Sequence, residues 1–217
     1  MPHPMTGHTI CPMNIDPTLR TLEDLQALYA APRERALRKQ MPALDRHARR
    51  FVALSPFLVL ATSNAAGTLD ASPRGGAPGW VKVTEGGELL IPDAPGNNRL
   101  DSLRNLIEHP QAGVLFLIPG VDETLRVNGT AVLSTAAEDL AACADERRAP
   151  KLVIRITVQE AYLHCAKAFM RSRLWDPAAR VDRSALPTMG EMINDQTGIK
   201  EPVISQEELA RRYAADL

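Results

Sequence analysis

Trp80-Val-Lys-Val-Thr-Glu-Gly-Gly-Glu-Leu-Leu-Ile91 reads as a β-hairpin. Apolar and polar side chains alternate from Trp80 to Thr84, Glu85-Gly-Gly87 makes the turn, and Glu88 to Ile91 begins the return strand. The same grammar recurs on both sides. Upstream, Phe57 to Thr62 is a short apolar run, Asn64-Ala-Ala-Gly67 is a turn, and Leu69, Ala71 and Pro73 alternate with polar neighbours. Downstream, Gly113-Val-Leu-Phe-Leu-Ile118 ends at a Pro119-Gly120 turn and leads into a long strand from Thr124 to Ser134. Lys151 to Val158 is a further strand, with Leu152, Ile154 and Ile156 on one face and Val153, Arg155 and Thr157 on the other. About six strands at this spacing predict a mainly β fold with flanking helices. A closed antiparallel barrel is the expected form, because closure removes unpaired sheet edges.

Helical periodicity fills the gaps. Leu100, Leu103, Leu106 and Ile107 predict one helix, with Pro110 beyond its end, and Ala136 to Asp145 predicts another. Thr21-Leu22-Glu23-Asp24 has the pattern of a capping box ahead of Leu22, Leu25, Leu28 and Tyr29. Pro32 opens a further helix whose inner side is lined by Leu37, Leu44, Ala48 and Phe51, with a kink or break at Pro42. The first 20 residues read as a loose arm, and the polar stretch after Trp175 is helical only near Gln206 to Tyr213. The expected division is residues 1–50 as an arm and helices packing on the barrel, 51–175 as the barrel, and 176–217 as an extension that wraps a partner or is mobile.

Composition narrows the function. The chain has 217 residues, 25 Lys plus Arg and 26 Asp plus Glu, for a net charge of −1. A dedicated nucleic-acid binder would carry a basic excess. Apolar residues make up 45%, an ordinary globular share, and no run is long enough to span a bilayer. The N-terminal stretch has neither the cationic nor the apolar region of a secretory leader. Cys11, Cys143 and Cys165 are odd in number and far apart, so they form neither a disulfide framework nor a zinc site; a reducing cytoplasm is expected.

The usual catalytic patterns are absent. The sequence contains no phosphate-binding P-loop, no dinucleotide glycine fingerprint, no H-E-x-x-H and no nucleophile elbow. The five histidines show no metal-ligand spacing, so no metal is expected. His164 and Cys165, adjacent in sequence, read as a surface imidazole beside a buried thiol.

Four segments can carry binding chemistry. In Ile91-Pro-Asp-Ala-Pro-Gly-Asn-Asn-Arg99-Leu-Asp101-Ser102, a strand ends, a loop follows and a helix begins with Arg99 near its first turn. Such a loop presents backbone N–H groups, and a guanidinium fork matches phosphate oxygens. The equal alternative is a plain left-handed turn with Arg99 solvated or paired to Asp101. Ser72-Pro-Arg74-Gly-Gly-Ala-Pro-Gly79-Trp80 implies a bulge or a close approach, or else a wide loop with an exposed Arg74. In Glu123-Thr-Leu-Arg126-Val-Asn128-Gly129, Arg126 and Asn128 share the face opposite Leu125 and Val127. Finally, Lys167 and Arg171 share a helix face four residues apart, with Trp175 four further on; this is an anion-and-ring platform or a solvated basic helix.

Ile91-Pro-Asp-x-Pro-Gly-Asn-Asn-Arg99-x-Asp101-Ser102-Leu103, then Phe116-Leu-Ile-Pro-Gly120 and Glu123-Thr-Leu-Arg-Val-Asn-Gly129, together resemble the FMN-binding split-barrel proteins related to pyridoxamine 5′-phosphate oxidase. The likeness runs from about Phe51 to Trp175 and is closest to a subgroup of FMN-dependent enzymes without a settled substrate. It implies an antiparallel split barrel of six strands that forms a homodimer, with FMN in clefts at the interface. By resemblance, Arg99 with Asn97 and Asn98 grips the FMN phosphate. The Ser72 to Arg74 segment and the strand of Trp80, Val81 and Lys82 flank the isoalloxazine and ribityl chain, with Pro92 and Asp93 nearby. Arg126 reaches across the interface, and Lys167, Arg171 and Trp175 close the site. The sequence departs from the oxidase in three ways: a Gly/Pro insert separates Arg74 from Lys82, Asn-Asn-Arg replaces a basic pair, and the C-terminal Arg/His substrate motif has no counterpart. The implied activity is therefore an FMN-dependent oxidoreductase working through hydride transfer at flavin N5, with its small-molecule substrate unassigned. The alternatives are a non-catalytic flavin carrier or sensor, or a split barrel that uses deazaflavin or haem.

Overall fold

The computed structural model describes residues 18–145 and 149–214. The loose arm expected over the first 20 residues, with Cys11, lies outside the described residues as far as residue 17. The chain divides into two compact units, one ending at Arg38 and the other beginning at Lys39.

In the first unit, α1 (Leu22–Leu28) starts at the expected capping box. The Asp24 N–H donates to Thr21 Oγ1 and the Thr21 N–H donates to Asp24 Oδ2, each at 3.1 Å. These bonds, the Thr21 side chain first, hold the Asp24 carboxyl below its ordinary pKa. The short helix α2 (Glu34–Arg38) follows.

The second unit opens with a correction. The helix expected to run from Pro32 past Pro42 is two helices, because Met41 pairs as an isolated bridge with Ala161 instead of continuing the helix. Leu37, expected on the inner side, is exposed. α3 (Arg46–Leu54) begins afresh at Asp45, whose carboxylate accepts the Ala48 N–H at 2.8 Å. Its Ala48 and Val52, one turn apart, are buried.

The strands are β1 (Phe57–Ser63), β2 (Leu69–Gly75), β3 (Lys82–Val83), β4 (Leu89–Pro92), β5 (Gln111–Leu117), β6 (Thr124–Ser134) and β7 (Val153–His164). They form one antiparallel sheet in the order β2-β1-β5-β6-β7-β4-β3. The sheet curls into a split barrel, so the fold class is as expected, with two differences. It has seven strands rather than six. It is also not closed by strand pairing: β2 and β3 are its ends. β3 has only two residues, and β2 carries Pro73, which has no N–H to donate, so neither end offers much ladder.

The concave face holds the core. Leu58, Leu60, Leu89, Ile91, Phe116, Leu125, Val127, Ile154 and Ile156 are all buried there. α4 (Asp101–Glu108) adds Leu103 and Leu106 from a face with helical spacing, and α3 adds Ala48 and Val52. Burying each large aliphatic side chain contributes about 1.5–3 kcal/mol. A smaller cluster lies on the convex face, where α5 (Ala137–Cys143) covers Leu90 and Val153. Arg155 on β7 fastens α5 by pairing with Asp139 at 3.3 Å and with Glu88 at 3.0 Å. The chain ends with α6 (Lys167–Ser172), α7 (Met189–Thr197) and α8 (Gln206–Ala214). α7 is not foreseen from hydrophobic periodicity, though Thr188 and Glu191 form its capping box.

β7 runs six residues past its expected end at Val158. The β6–β7 register shifts between Asn128 and Gly129, so Gly129 faces Val158 while Asn128 faces Glu160. Backbones approach closely here: a Cβ on Gly129 would lie 2.1 Å from the Thr157 carbonyl oxygen. Gly129→Ala should therefore destabilise the fold by about 3 kcal/mol, the upper part of the overpacking range, because a ladder carbonyl cannot rotate away. A urea midpoint unchanged from wild type would show that the bulge relaxes freely.

Candidate functional site

The site lies at the seam where the two ends of the sheet approach. Along β2, Leu69, Ala71, Pro73 and Gly75 are exposed, whereas Asp70, Ser72 and Arg74 alternate with them and are half-buried. Their cross-strand partners on β1 are Thr62, Leu60 and Leu58, all buried, so this polar row faces the concave side. At one end of the row, Arg74 Nη1 pairs with Asp93 Oδ1 at 3.2 Å, each side chain being only 18% exposed. Asp93 directly follows β4 and is anchored by its own N–H donating to the Leu152 carbonyl at 3.0 Å. This ion pair links the β2 end of the sheet to the opposite end. The Arg74 Nε–H is buried without an acceptor among the described residues.

At the other end, Ser102 Oγ donates to Asp70 Oδ2 at 2.6 Å, and Asn105 Nδ2 donates to Thr62 Oγ1 at 3.0 Å. These bonds fix the first turns of α4 against β1 and β2. The loop into α4 has the left-handed geometry foreseen: φ is 58° at Asn98 and 60° at Leu100. Asn97 Oδ1 accepts the Arg99 N–H at 3.1 Å. Arg99 pairs with Asp101 at 2.8 Å and is 73% exposed. Its pKa is raised by the hydrogen bond and charge of Asp101, with a smaller push from Asp70. Of the two readings of this loop, the chain by itself adopts the Arg99–Asp101 pair.

The remaining expected residues fall elsewhere. Pro92 ends β4 beside Asp93. Val81 is in the core, and Lys82, paired with Leu90, shares the convex face where its charge is felt at Cys143. Arg126 is exposed on the convex face of β6, its guanidinium carbon 5.5 Å from the Tyr162 ring centroid, with Lys39 Nζ also at 5.5 Å. Lys167 and Arg171 are exposed on α6. Trp175 lies beyond α6, stacked on Phe169 at 5.6 Å, with its indole N–H donating to the Val121 carbonyl at 2.9 Å. Within one chain, then, Arg74 meets Asp93, with Ser72 in the same inward row and Asn97, Asn98 and Arg99 toward its far end, whereas Pro92 pairs with Val153 and alternates onto the convex face with Leu90. Arg126, Lys167, Arg171 and Trp175 are not gathered with them.

One residue joins the site that pattern reading passed over: Asp70, which has only its place two before Ser72 as a signal. Trp80, at the start of the strand expected to flank the ring, has a buried N–H without a partner among the described residues. The cysteine reading needs correcting: Cys165 is exposed, and Cys143 is the buried thiol, its pKa raised chiefly by burial.

The convex face carries a further depression of about 320 Å³ lined by Ala61, Ser63, Leu69, Gln111, Gly113 and Asn128. Its floor is shallow because Ala61 pairs with Gly113 across β1 and β5.

Residues 44–165 match the family model described as pyridoxamine 5′-phosphate oxidase. No curated protein matches the sequence. Among solved structures, the chain is similar to HupZ of Group A Streptococcus, at 18% identity and a TM-score of 0.44, over 54% of this chain and 91% of that one. It is similar to an FMN-binding protein from Syntrophomonas wolfei at 11% identity and a TM-score of 0.43, over 54% and 84%. It is also similar to HutZ, the haem storage protein of Vibrio cholerae, at 14% identity and a TM-score of 0.40, over 56% and 94%. Likenesses at these scores add nothing to the family match.

The seam pair can be tested without any ligand. Arg74→Met should destabilise the protein by about 2 kcal/mol, below the range for a fully buried pair because Asp93 keeps some solvent contact. Adding Asp93→Asn should recover part of that loss. Strict additivity of the two substitutions in chemical denaturation would mean that the pair does not hold the seam.

Proposed function

Because the chain belongs to the pyridoxamine 5′-phosphate oxidase family, we propose that it is an FMN-dependent oxidoreductase acting on a small molecule. The observation that carries this reading is the Arg74 guanidinium at the seam. One of its nitrogens is engaged by Asp93, while its Nε–H is buried and unpaired among the described residues. A buried donor left unpaired costs about 1–3 kcal/mol, so it marks a place where an acceptor belongs. The flavin ring and ribityl chain offer acceptors along their edge, and Ser72 on the same strand face adds a hydroxyl. The apolar residues behind the row supply the wall that a flat ring needs.

At the phosphate end, Asn97, Asn98 and Arg99 precede α4. Arg99 serves a phosphate only by exchanging Asp101 for it, and a dianion is the stronger partner for the guanidinium. Bound FMN would supply hydride transfer at N5, chemistry that requires no side-chain acid or base. The chain's own part is to place the ring, to keep positive charge at its edge through Arg74, and to shield one of its faces.

We further read the protein as a cytoplasmic homodimer. Arg126 lies on the convex face and Arg74 on the concave one, so a single cleft can contain both sets of expected residues only if a second copy supplies one of them. The convex face of β1, β2 and β5 also exposes Phe57 and Leu69, with Val59, Ala61 and Leu115 on the same side. In a reducing compartment Cys143 and Cys165, both free, remain thiols. No helix among the described residues is long and apolar enough to cross a membrane.

Freshly purified protein should be yellow and release FMN on heating, identified by mass spectrometry; a haem Soret band or a deazaflavin would replace FMN as the cofactor. Reduction of the bound flavin by NADH, NADPH or another donor, with turnover, supports the oxidoreductase, whereas binding without turnover supports a flavin carrier or sensor. Arg99→Ala should weaken FMN binding, and Asp101→Asn, which frees Arg99, should tighten it. Equal affinities for these variants and wild type would remove Arg99 from the site. Sedimentation at micromolar concentration should give a dimer, and a flavin-loaded monomer would refute the shared cleft.

A further inference from the structure

We infer that Trp80 recognises the cofactor: its indole N–H, with Arg74 Nε–H, makes the seam select a ring bearing hydrogen-bond acceptors on its rim over a porphyrin. This rests on the flavin reading, in which the strand from Trp80 flanks the ring, and adds a hydrogen-bonding role and a selectivity to it.

Among the described residues, only two buried side-chain nitrogen or oxygen atoms lack a partner, Arg74 Nε and Trp80 Nε1. Arg74 stands one residue before the end of β2, and Trp80 follows in the connection to β3. A buried polar group without a partner is uncommon in folded proteins. Two so close in the chain, at the end of β2 and just beyond it, point to one missing acceptor surface. The second tryptophan shows the contrast: the Trp175 N–H reaches the Val121 carbonyl at 2.9 Å.

The indole is also held in place. Its ring packs against the main core cluster. On another side it lies over Gly76, where an added Cβ would come within 2.7 Å of Trp80 Cγ and 3.1 Å of Cδ2. Gly76 is not in the left-handed region, so the backbone does not demand glycine there. What the missing side chain leaves room for is the tryptophan. The donor is therefore positioned before anything binds, and little ordering entropy remains to be lost on binding.

The chemistry of the rival rings then separates them. An isoalloxazine or deazaflavin carries carbonyl oxygens and ring nitrogens along its rim. The rim of a porphyrin is carbon, its nitrogens face the metal, and its acceptors are confined to the propionates. An N–H fixed by packing gains a partner from the first class only.

The test uses the full chain with the conservative variant Trp80→Phe, which keeps an aromatic ring and removes the donor. Affinities for FMN and for haemin are measured by titration, with thermal melting as a check on folding. FMN binding should weaken roughly three- to tenfold, the range for one neutral hydrogen bond, while haemin binding stays unchanged. Unchanged FMN affinity overturns the inference, as does equal weakening toward both ligands, which would make Trp80 a packing residue. Should Trp80→Phe fail to fold, Gly76→Ala keeps the indole but displaces it: selective loss of FMN affinity supports the inference, and no selective loss overturns it. Wild-type protein that binds no FMN would sink the flavin reading as well, so the two failures are distinguishable.

Discussion

A sheet that curls without completing its hydrogen-bonded ladder must be held shut by side chains. Here the core supplies most of that force, since the inward rows of β1, β4, β5, β6 and β7 are buried together with the apolar faces of α3 and α4. The Arg74–Asp93 pair acts where the apolar core stops, at the seam itself. Everything proposed for the site follows from this arrangement. At this seam the polar row of β2 faces inward beside the pair, and the Arg74 Nε–H is buried there without a partner among the described residues.

Much of the sheet was legible in the sequence. Apolar runs and turn signals located β1, β5 and β6 to within a residue or two, and alternation sorted the residues of β6 and β7 onto their two faces correctly. It failed where the period breaks. The bulge opposite Gly129 changes the phase of β7, so Ala161 faces inward after Ile154 and Ile156, and a strict two-residue count loses the strand at Val158. β3 was overestimated because Trp80 and Val81 alternate as a strand would, yet they pack into the core ahead of the ladder. The break at Pro42 was readable, but not the bridge from Met41 to Ala161, which is a tertiary contact across most of the chain.

The site was legible in part. Left-handed backbone at Asn98 and Leu100 follows from the Asn-rich loop, and the choice of Asp101 as the partner of Arg99 was one of two stated outcomes. The Arg74–Asp93 pair was not readable, because nothing local couples two charges on separate strands. Nor does one sequence tell which face a residue such as Lys82 presents until the register with Leu90 is known. Unpaired donors are the least legible feature of all, since a missing partner can be seen only after every other partner has been placed.

The shape of the two sheet ends bears on how the protein behaves in a crowded solution. An open ladder invites another chain to add a strand, and repeated addition builds filaments. One end of this sheet is two residues long with an exposed lysine, and the other has a proline in mid-strand and half-buried charges at Asp70 and Arg74. Neither end is a good template for polymerisation, so the sheet can stay unclosed without becoming prone to fibril growth.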